Sequence, residues 1–165
     1  MPTATLLIVY HSMTGGTEQM VQACSQAAGA EPSVAVNVKR AAQVTTDDVL
    51  NASGYIFATP EYLGSISGMV KDFFDRTYYD VIDQINGRPY AVMVCAGSDG
   101  QGAVRQIDRI VTGWRLKSVS PPVIVNVQAQ TPDRIQATKS LTDQQCAPCA
   151  ELGTLLGTGL ALSVF

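Results

Sequence analysis

Apolar runs alternate with helix-period segments along the whole chain. Five short runs, at 5–10, 34–38, 54–59, 90–95 and 123–127, are rich in Val, Ile and Tyr and nearly continuous in hydrophobicity. Strands apolar on both faces are what a parallel sheet covered by helices requires, because each face packs against a helical layer. Between the runs the apolar positions recur at helical spacing. Met20, Val21, Cys24, Ala27 and Ala28 make one stripe, Met69, Val70, Phe73, Phe74 and Thr77 a second, and Val104, Ile107, Ile110, Val111 and Trp114 a third. A short helix is expected over 46–50, capped by Thr45 or Thr46. A last helix runs from about Leu141 toward the C-terminus, apolar along Cys149, Leu152, Leu156 and Leu160. This alternation predicts a single α/β domain over residues 1–165, a three-layer, doubly wound, five-stranded parallel sheet of order 2-1-3-4-5 with right-handed crossovers. In such a sheet the ligand sits outside the carboxyl ends of the strands where the order reverses, so the loops after strands one, three and four are the ones to read.

Composition narrows the function classes. At 165 residues and 46% hydrophobic content the chain can bury one full core, and no stretch is biased enough to suggest disorder. A net charge of −3 and a pI near 5.0 argue against nucleic acid or an anionic membrane surface as partners. The start, Met1-Pro2-Thr3-Ala4-Thr5, has no basic segment leading an apolar run. The apolar tail over 155–165 is interrupted by Gly157, Thr158, Gly159 and Ser163 and falls short of a membrane span, so a cytoplasmic location is expected. Cys24 and Cys95 lie in helix and strand patterns, where cysteine behaves as a small hydrophobe. Cys146-Ala147-Pro148-Cys149 has redox spacing. A thioredoxin-type pair, however, begins a helix directly after a strand, whereas this one precedes an apolar helix late in the chain, which favours a structural role. With no second pair, and the sole histidine, His11, at the other end of the sequence, a zinc site is not expected.

The first loop, Ser12-Met13-Thr14-Gly15-Gly16-Thr17, leaves the opening strand and runs straight into a helix pattern. Free N–H groups and the positive end of the helix dipole suit an anion, and three hydroxyls add donors, so a phosphate can be held without a basic residue. A plain helix cap would need neither the paired glycines nor all three hydroxyls. The Gly-Lys-Ser/Thr ending of a triphosphate loop is missing. The second loop, Thr59-Pro60-Glu61-Tyr62-Leu63-Gly64-Ser65-Ile66-Ser67-Gly68, brackets between Pro60 and Gly64 an aromatic residue that can offer a flat face to a flat ligand or simply cover the core. Glu61 reads either as a solvated loop carboxylate or as an acid tuning that ligand. Lys71 with Asp75 and Asp72 with Arg76 are spaced as i,i+4 pairs on the helix that follows. The third loop, Cys95-Ala96-Gly97-Ser98-Asp99-Gly100-Gln101-Gly102-Ala103, allows close backbone approach, but its spacing is not the Rossmann fingerprint and it also reads as an ordinary flexible connection. His11 beside Ser12 does not make a hydrolase, since neighbours at a strand end project oppositely and no nucleophile elbow is present.

The segment Ser12-Met13-Thr14-Gly15-Gly16-Thr17 resembles the phosphate loop of flavodoxins. Pro60-Glu61-Tyr62-Leu63-Gly64-Ser65, with Lys71 and the run from Phe73 to Arg76, resembles the NAD(P)H-dependent FMN reductase and quinone reductase branch of that superfamily. The resemblance covers about the first 115 residues. It implies a flavodoxin-like fold and noncovalent FMN, with the phosphate on Ser12, Met13, Thr14, Gly15, Gly16 and Thr17. It further implies that the ring lies against Pro60, Glu61, Tyr62, Leu63, Gly64 and Ser65, and its outer edge against Ala96, Gly97, Ser98, Gly100 and Gly102. Hydride chemistry then belongs to the flavin, no side chain is obligatory as a catalyst, NAD(P)H is the reductant, and a quinone, flavin or similar small molecule is the acceptor. This chain has Leu63 where the reductases often carry asparagine, and it lacks the inserted segments of the longer quinone reductases. The alternative is a flavodoxin-type electron carrier acting between partner proteins, which the small acidic excess fits through charge complementarity. A phosphoacceptor receiver domain needs an aspartate where Thr59-Pro60 stands. The apolar positions Phe73, Phe74, Tyr78 and Tyr79 leave room for a homo-oligomer contact, although a monomer's core uses the first two.

Overall fold

In the computed structural model, which describes residues 4–165, the elements run β1 (Ala4–Tyr10), α1 (Gly16–Ala28), β2 (Val34–Arg40), α2 (Thr46–Asn51), β3 (Gly54–Tyr62), β4 (Ser65–Ile66), α3 (Gly68–Val81), β5 (Pro89–Ala96), α4 (Gln101–Gly113), β6 (Lys117–Ser118), β7 (Val123–Asn126), α5 (Pro132–Gln136) and α6 (Asp143–Ala161). Met1, Pro2 and Thr3, which belong to the expected domain span and to the reading of the chain start, lie outside the described residues. The parallel sheet has the order β2-β1-β3-β5, and its fifth position is shared by β6 and β7, both paired with β5. Counted as five strands, this is the expected 2-1-3-4-5. The fifth strand is split because Pro121 and Pro122 bring no N–H to the ladder. β7 closes at Asn126, although the Val127 N–H still donates to the Ala96 carbonyl at 2.8 Å. β4, absent from the expected pattern, folds back antiparallel on the end of β3.

The alternation along the central strands divides the core in two. Leu7, Val9, Tyr55 and Phe57 face the α2–α4 side, where Phe57, Phe73, Phe74 and Trp114 pack ring against ring. Leu6, Ile8, Ile56 and Met93 face the opposite side, against Met20 and Cys24 of α1 and Cys149, Leu152 and Leu156 of α6. Small residues bring those two helices together: a Cβ on Gly153 would collide with the Cys24 carbonyl oxygen. Thr45, not Thr46, caps α2 through a capping box with Asp48. On α3 the anticipated pairs form, Lys71 to Asp75 at 2.6 Å and Arg76 to Asp72 at 2.7 Å, and Arg76 also donates to the Ala41 and Val44 carbonyls. Tyr78 and Tyr79 are exposed and lie ring to ring at 5.7 Å, whereas Phe73 and Phe74 belong to the core.

The last helix starts at Asp143, capped by Thr142 and Gln145, so Cys146 and Cys149 lie within α6 and not at a strand-to-helix junction. All four cysteines are free, and burial pushes the Cys149 thiol up to about 12, away from thiolate chemistry. Among the described residues no helix is long and apolar enough to cross a membrane, and no His, Cys, Asp or Glu group could hold a metal.

Candidate functional site

The sheet order reverses between β1 and β3, and the loops leaving β1, β3 and β5 converge there on one cavity of about 630 Å³. Ser12, Met13, Thr14, Gly16 and Thr17 line it from the first loop. Pro60, Glu61, Tyr62, Leu63 and Gly64 line it from the second, and Ala96, Gly97 and Ser98 from the third. Three stretches far apart in sequence thus become one site.

The first loop forms an anion cradle. Gly15 holds φ at +94° at the N-cap of α1, and its N–H donates to the Ser12 hydroxyl oxygen at 3.2 Å. The first intrahelical bond runs from the Gln19 N–H to the Gly15 carbonyl, which leaves the amides of Gly16, Thr17 and Glu18 without an acceptor inside the helix. Thr17 is only 2% exposed, and its hydroxyl oxygen is buried with no partner among the described residues. A buried hydroxyl without a partner costs about 1–3 kcal/mol, so a ligand oxygen there would be held by a group that is otherwise unsatisfied. Gly16 keeps the floor open: a Cβ would come within 2.6 Å of the Cys95 Sγ. These residues fit a phosphate monoester.

The second loop provides the flat surface. Tyr62 is 36% exposed, and the His11 ring meets it edge-on at 6.2 Å with an interplanar angle of 82°. Burial, followed by the Arg40 charge, lowers the His11 pKa, so the imidazole behind Tyr62 is neutral at pH 7. Burial likewise raises the Tyr62 phenol above its ordinary value, which keeps it protonated. Leu63 and Gly64 both adopt positive φ, 52° and 75°, with the Leu63 side chain fully exposed at the cavity mouth. A left-handed leucine is uncommon; asparagine adopts that conformation more readily.

Four expected residues, Gly15, Ser65, Gly100 and Gly102, do not themselves line the cavity. Gly15 and Gly100 are the helix N-caps of α1 and α4, each with a left-handed backbone. Ser65 donates its hydroxyl to the Gln106 carboxamide oxygen, binding the β3–β4 hairpin to α4. Gly102 lets α4 lie directly on the second loop, since a Cβ there would collide with the Gly64 carbonyl oxygen. Glu61 is half-buried at the cavity wall. Its carboxylate accepts the Gly100 N–H at 2.9 Å and the Ala103 N–H at 3.1 Å, capping a helix whose own N-cap has no side chain. The amides of the third loop are therefore partly claimed by the protein, and Gly97 to Ser98 is the part that borders the cavity.

Sequence reasoning missed Cys95, Val127, Ala129, Ile135 and Lys139, which complete the lining. Four of these lie after β7, outside the three loops that the strand order singles out. The available signal was Thr131-Pro132, a cap followed by a first-turn proline, which opens α5 over this side of the cavity. Lys139 puts a cation beside a cradle expected to be neutral, yet its ammonium donates to the Arg134, Ile135 and Ala137 carbonyls at the end of α5.

A family model described as NADPH-dependent FMN reductase matches residues 10–131, which include all three loops. A flavodoxin of Aquifex aeolicus is 29% identical over 97 residues, 59% of this chain and 52% of its own length. An NAD(P)H dehydrogenase (quinone) of Acidithiobacillus ferrooxidans is 30% identical over 92 residues, 44% of this chain and 46% of its own. The chain thus spans about half the length of these curated relatives. Among solved structures, an archaeal flavodoxin superposes with a TM-score of 0.79 at 18% identity, covering 95% of this chain and 99% of that one. A WrbA-like flavodoxin from Agrobacterium tumefaciens gives 0.76 at 15% identity, covering 97% and 99%. At such identities these two speak for the fold, flavodoxin-like. The family match, extending over most of the sequence and across every loop that builds the cavity, carries the further conclusion: this chain belongs to the NADPH-dependent FMN reductase family.

Proposed function

We propose that the cavity binds FMN noncovalently, in a single domain, and that the protein passes electrons from NAD(P)H to a small acceptor of the quinone or flavin class. The observation that carries this reading is the Thr17 hydroxyl, buried without a partner among the described residues at a helix N-terminus, in a cavity that Tyr62 lines from another loop. The cradle suits a phosphate and the wall suits a flat ring, and one ligand class has both. Ser12, Thr14 and Thr17 would hold the phosphate with the first amides of α1. Tyr62, backed by neutral His11, would pack the ring, while the backbone at Gly97 and Ser98 would border its edge. Bound there, FMN would supply the hydride-accepting and electron-donating chemistry. The lining side chains offer no free acid or base: Glu61 caps α4 and the Lys139 ammonium caps α5. The protein's contribution is then binding, orientation and exclusion of water, with the overall balance NAD(P)H, a proton and a quinone giving NAD(P)+ and a hydroquinone.

The test is direct. Purified protein titrated with FMN should quench flavin fluorescence with one-to-one stoichiometry, and the loaded protein should oxidise a nicotinamide beyond one equivalent only when an acceptor from a quinone panel is present, with parallel lines in initial-rate plots. Absence of FMN binding would remove the proposal. Because flavodoxins are among the similar proteins, the second reading is an electron carrier. It predicts two well-separated one-electron waves in a redox titration and no nicotinamide oxidation, whereas a hydride acceptor gives a single two-electron wave.

A further inference from the structure

Between β7 and α6 the chain crosses the phosphate end of the cavity as a strap, residues 127–142, whose Val127, Ala129, Ile135 and Lys139 complete the lining. The polar contacts that fasten it to the first loop pass through two residues. The Lys139 N–H donates to the Thr14 carbonyl at 2.7 Å. The Gln19 carboxamide of α1 makes two more: its N–H2 donates to the Lys139 carbonyl at 2.8 Å and its oxygen accepts the Leu141 N–H at 2.9 Å, while the N–H2 also donates to the Gly15 carbonyl of the first loop at 2.9 Å. One side chain in the first turn of α1 therefore holds the cradle and a segment some 120 positions away at the same time. The Lys139 stem lies over Gly16, 3.5 Å from where a Cβ would stand, and its ammonium is fixed by three carbonyls of the strap itself.

We propose that Gln19 is a positioning residue that latches this strap across the cradle, and that the latch sets how long a phosphate-bearing flavin stays bound. The inference rests on the FMN reading above. Its physical basis is contact: the Lys139 stem packs on Gly16 beside the α1 amides, so the strap forms one side of the cradle, and lifting it breaks the two Gln19 bonds that reach it. Tyr62, Leu63 and Met13 line the same cavity from the first two loops and take no part in the Gln19 bonds, so a flavin without the phosphate should be indifferent to the latch.

The experiment compares release of FMN and of riboflavin from the unmodified protein and from Gln19→Met, which keeps the length of the side chain but removes all three bonds. The expected result is FMN release about tenfold faster in Q19M, equivalent to about 1.4 kcal/mol, with riboflavin release unchanged within about twofold. A general loosening of the fold would speed both alike, and that outcome, or unchanged FMN release, overturns the latch while leaving FMN binding in place. Hydrogen exchange of the unmodified protein is the second measurement, informative even if the variant does not fold. FMN should slow the Lys139 and Leu141 amides, and exchange there that is indifferent to FMN also overturns the proposal. A protein that retains no FMN at all overturns the cofactor reading and the latch with it.

Discussion

Glu61→Ala should destabilise the protein through a helix 40 residues away in sequence. The Glu61 carboxylate accepts from the Gly100 and Ala103 amides at 2.9 and 3.1 Å, and Gly100, as N-cap, has no side chain to take its place. A hydrogen bond to a charged group contributes about 1.5–3 kcal/mol, and an anion at a helix N-terminus adds up to about 1 kcal/mol. Glu61 is only half-buried, so water recovers part of both terms in the variant, and a net loss of about 2 kcal/mol follows. In a domain of this size that lowers the melting midpoint by roughly 4–8 °C. Glu61→Gln keeps one acceptor oxygen and should lose about half as much. Thermal melts followed by circular dichroism, run without FMN to separate stability from binding, decide the matter. Amide exchange at Gly100 and Ala103 should quicken in the alanine variant. A midpoint within about 1 °C of the unmodified protein would refute the capping argument.

Thr17→Val removes the buried hydroxyl that has no protein partner, so the FMN-free protein should gain about 1 kcal/mol in a urea melt while FMN affinity falls about tenfold; a loss of both would place the hydroxyl in an internal bond instead. Leu63→Asn relieves a left-handed leucine at a fully exposed position and should raise stability by about 0.5–1 kcal/mol, read as a higher melting midpoint. His11 titrates below its ordinary 6.5 in the folded protein, so below that pH the unfolded chain binds the extra proton first and stability falls as pH drops through 6.5 toward the folded value. Melts between pH 7.5 and 5 should therefore decline less steeply for His11→Gln, and equal slopes would contradict the burial of the imidazole.

The sheet was legible because its signal is local and repeated: five apolar runs, with helical stripes between them, admit few arrangements once crossovers are short and right-handed. The first loop was legible for the same reason, since Ser12 to Thr17 is contiguous and its chemistry needs no distant partner. What escaped was set by tertiary contact. Nothing near Glu61 in sequence announces the amides of Gly100 and Ala103, and nothing near Gly102 announces the Gly64 carbonyl against which it lies. The strap escaped because its apolar residues follow neither a period of two nor of 3.6, so Val127, Ala129 and Ile135 leave no pattern. The split of the fifth strand, by contrast, was written in Pro121-Pro122, where two missing N–H groups forbid a continuous ladder.

The residues that look most reactive by type are the ones the fold employs elsewhere. Glu61 is bonded to the start of α4, the Lys139 ammonium to the end of α5, and His11 is kept neutral behind an aromatic ring. Cys95 borders the cavity, but burial raises its thiol to about 11, so it stays protonated and inert at neutral pH. Apart from Glu61 and Lys139, whose charged groups are bonded to backbone amides and carbonyls, the cavity lining is hydroxyls, backbone and apolar surface, a set suited to holding and orienting a ligand. A cavity of that kind becomes chemically competent only through what it binds. The buried Thr17 hydroxyl, without a partner among the described residues, lies at the N-terminus of α1, where the helix dipole favours a negatively charged group.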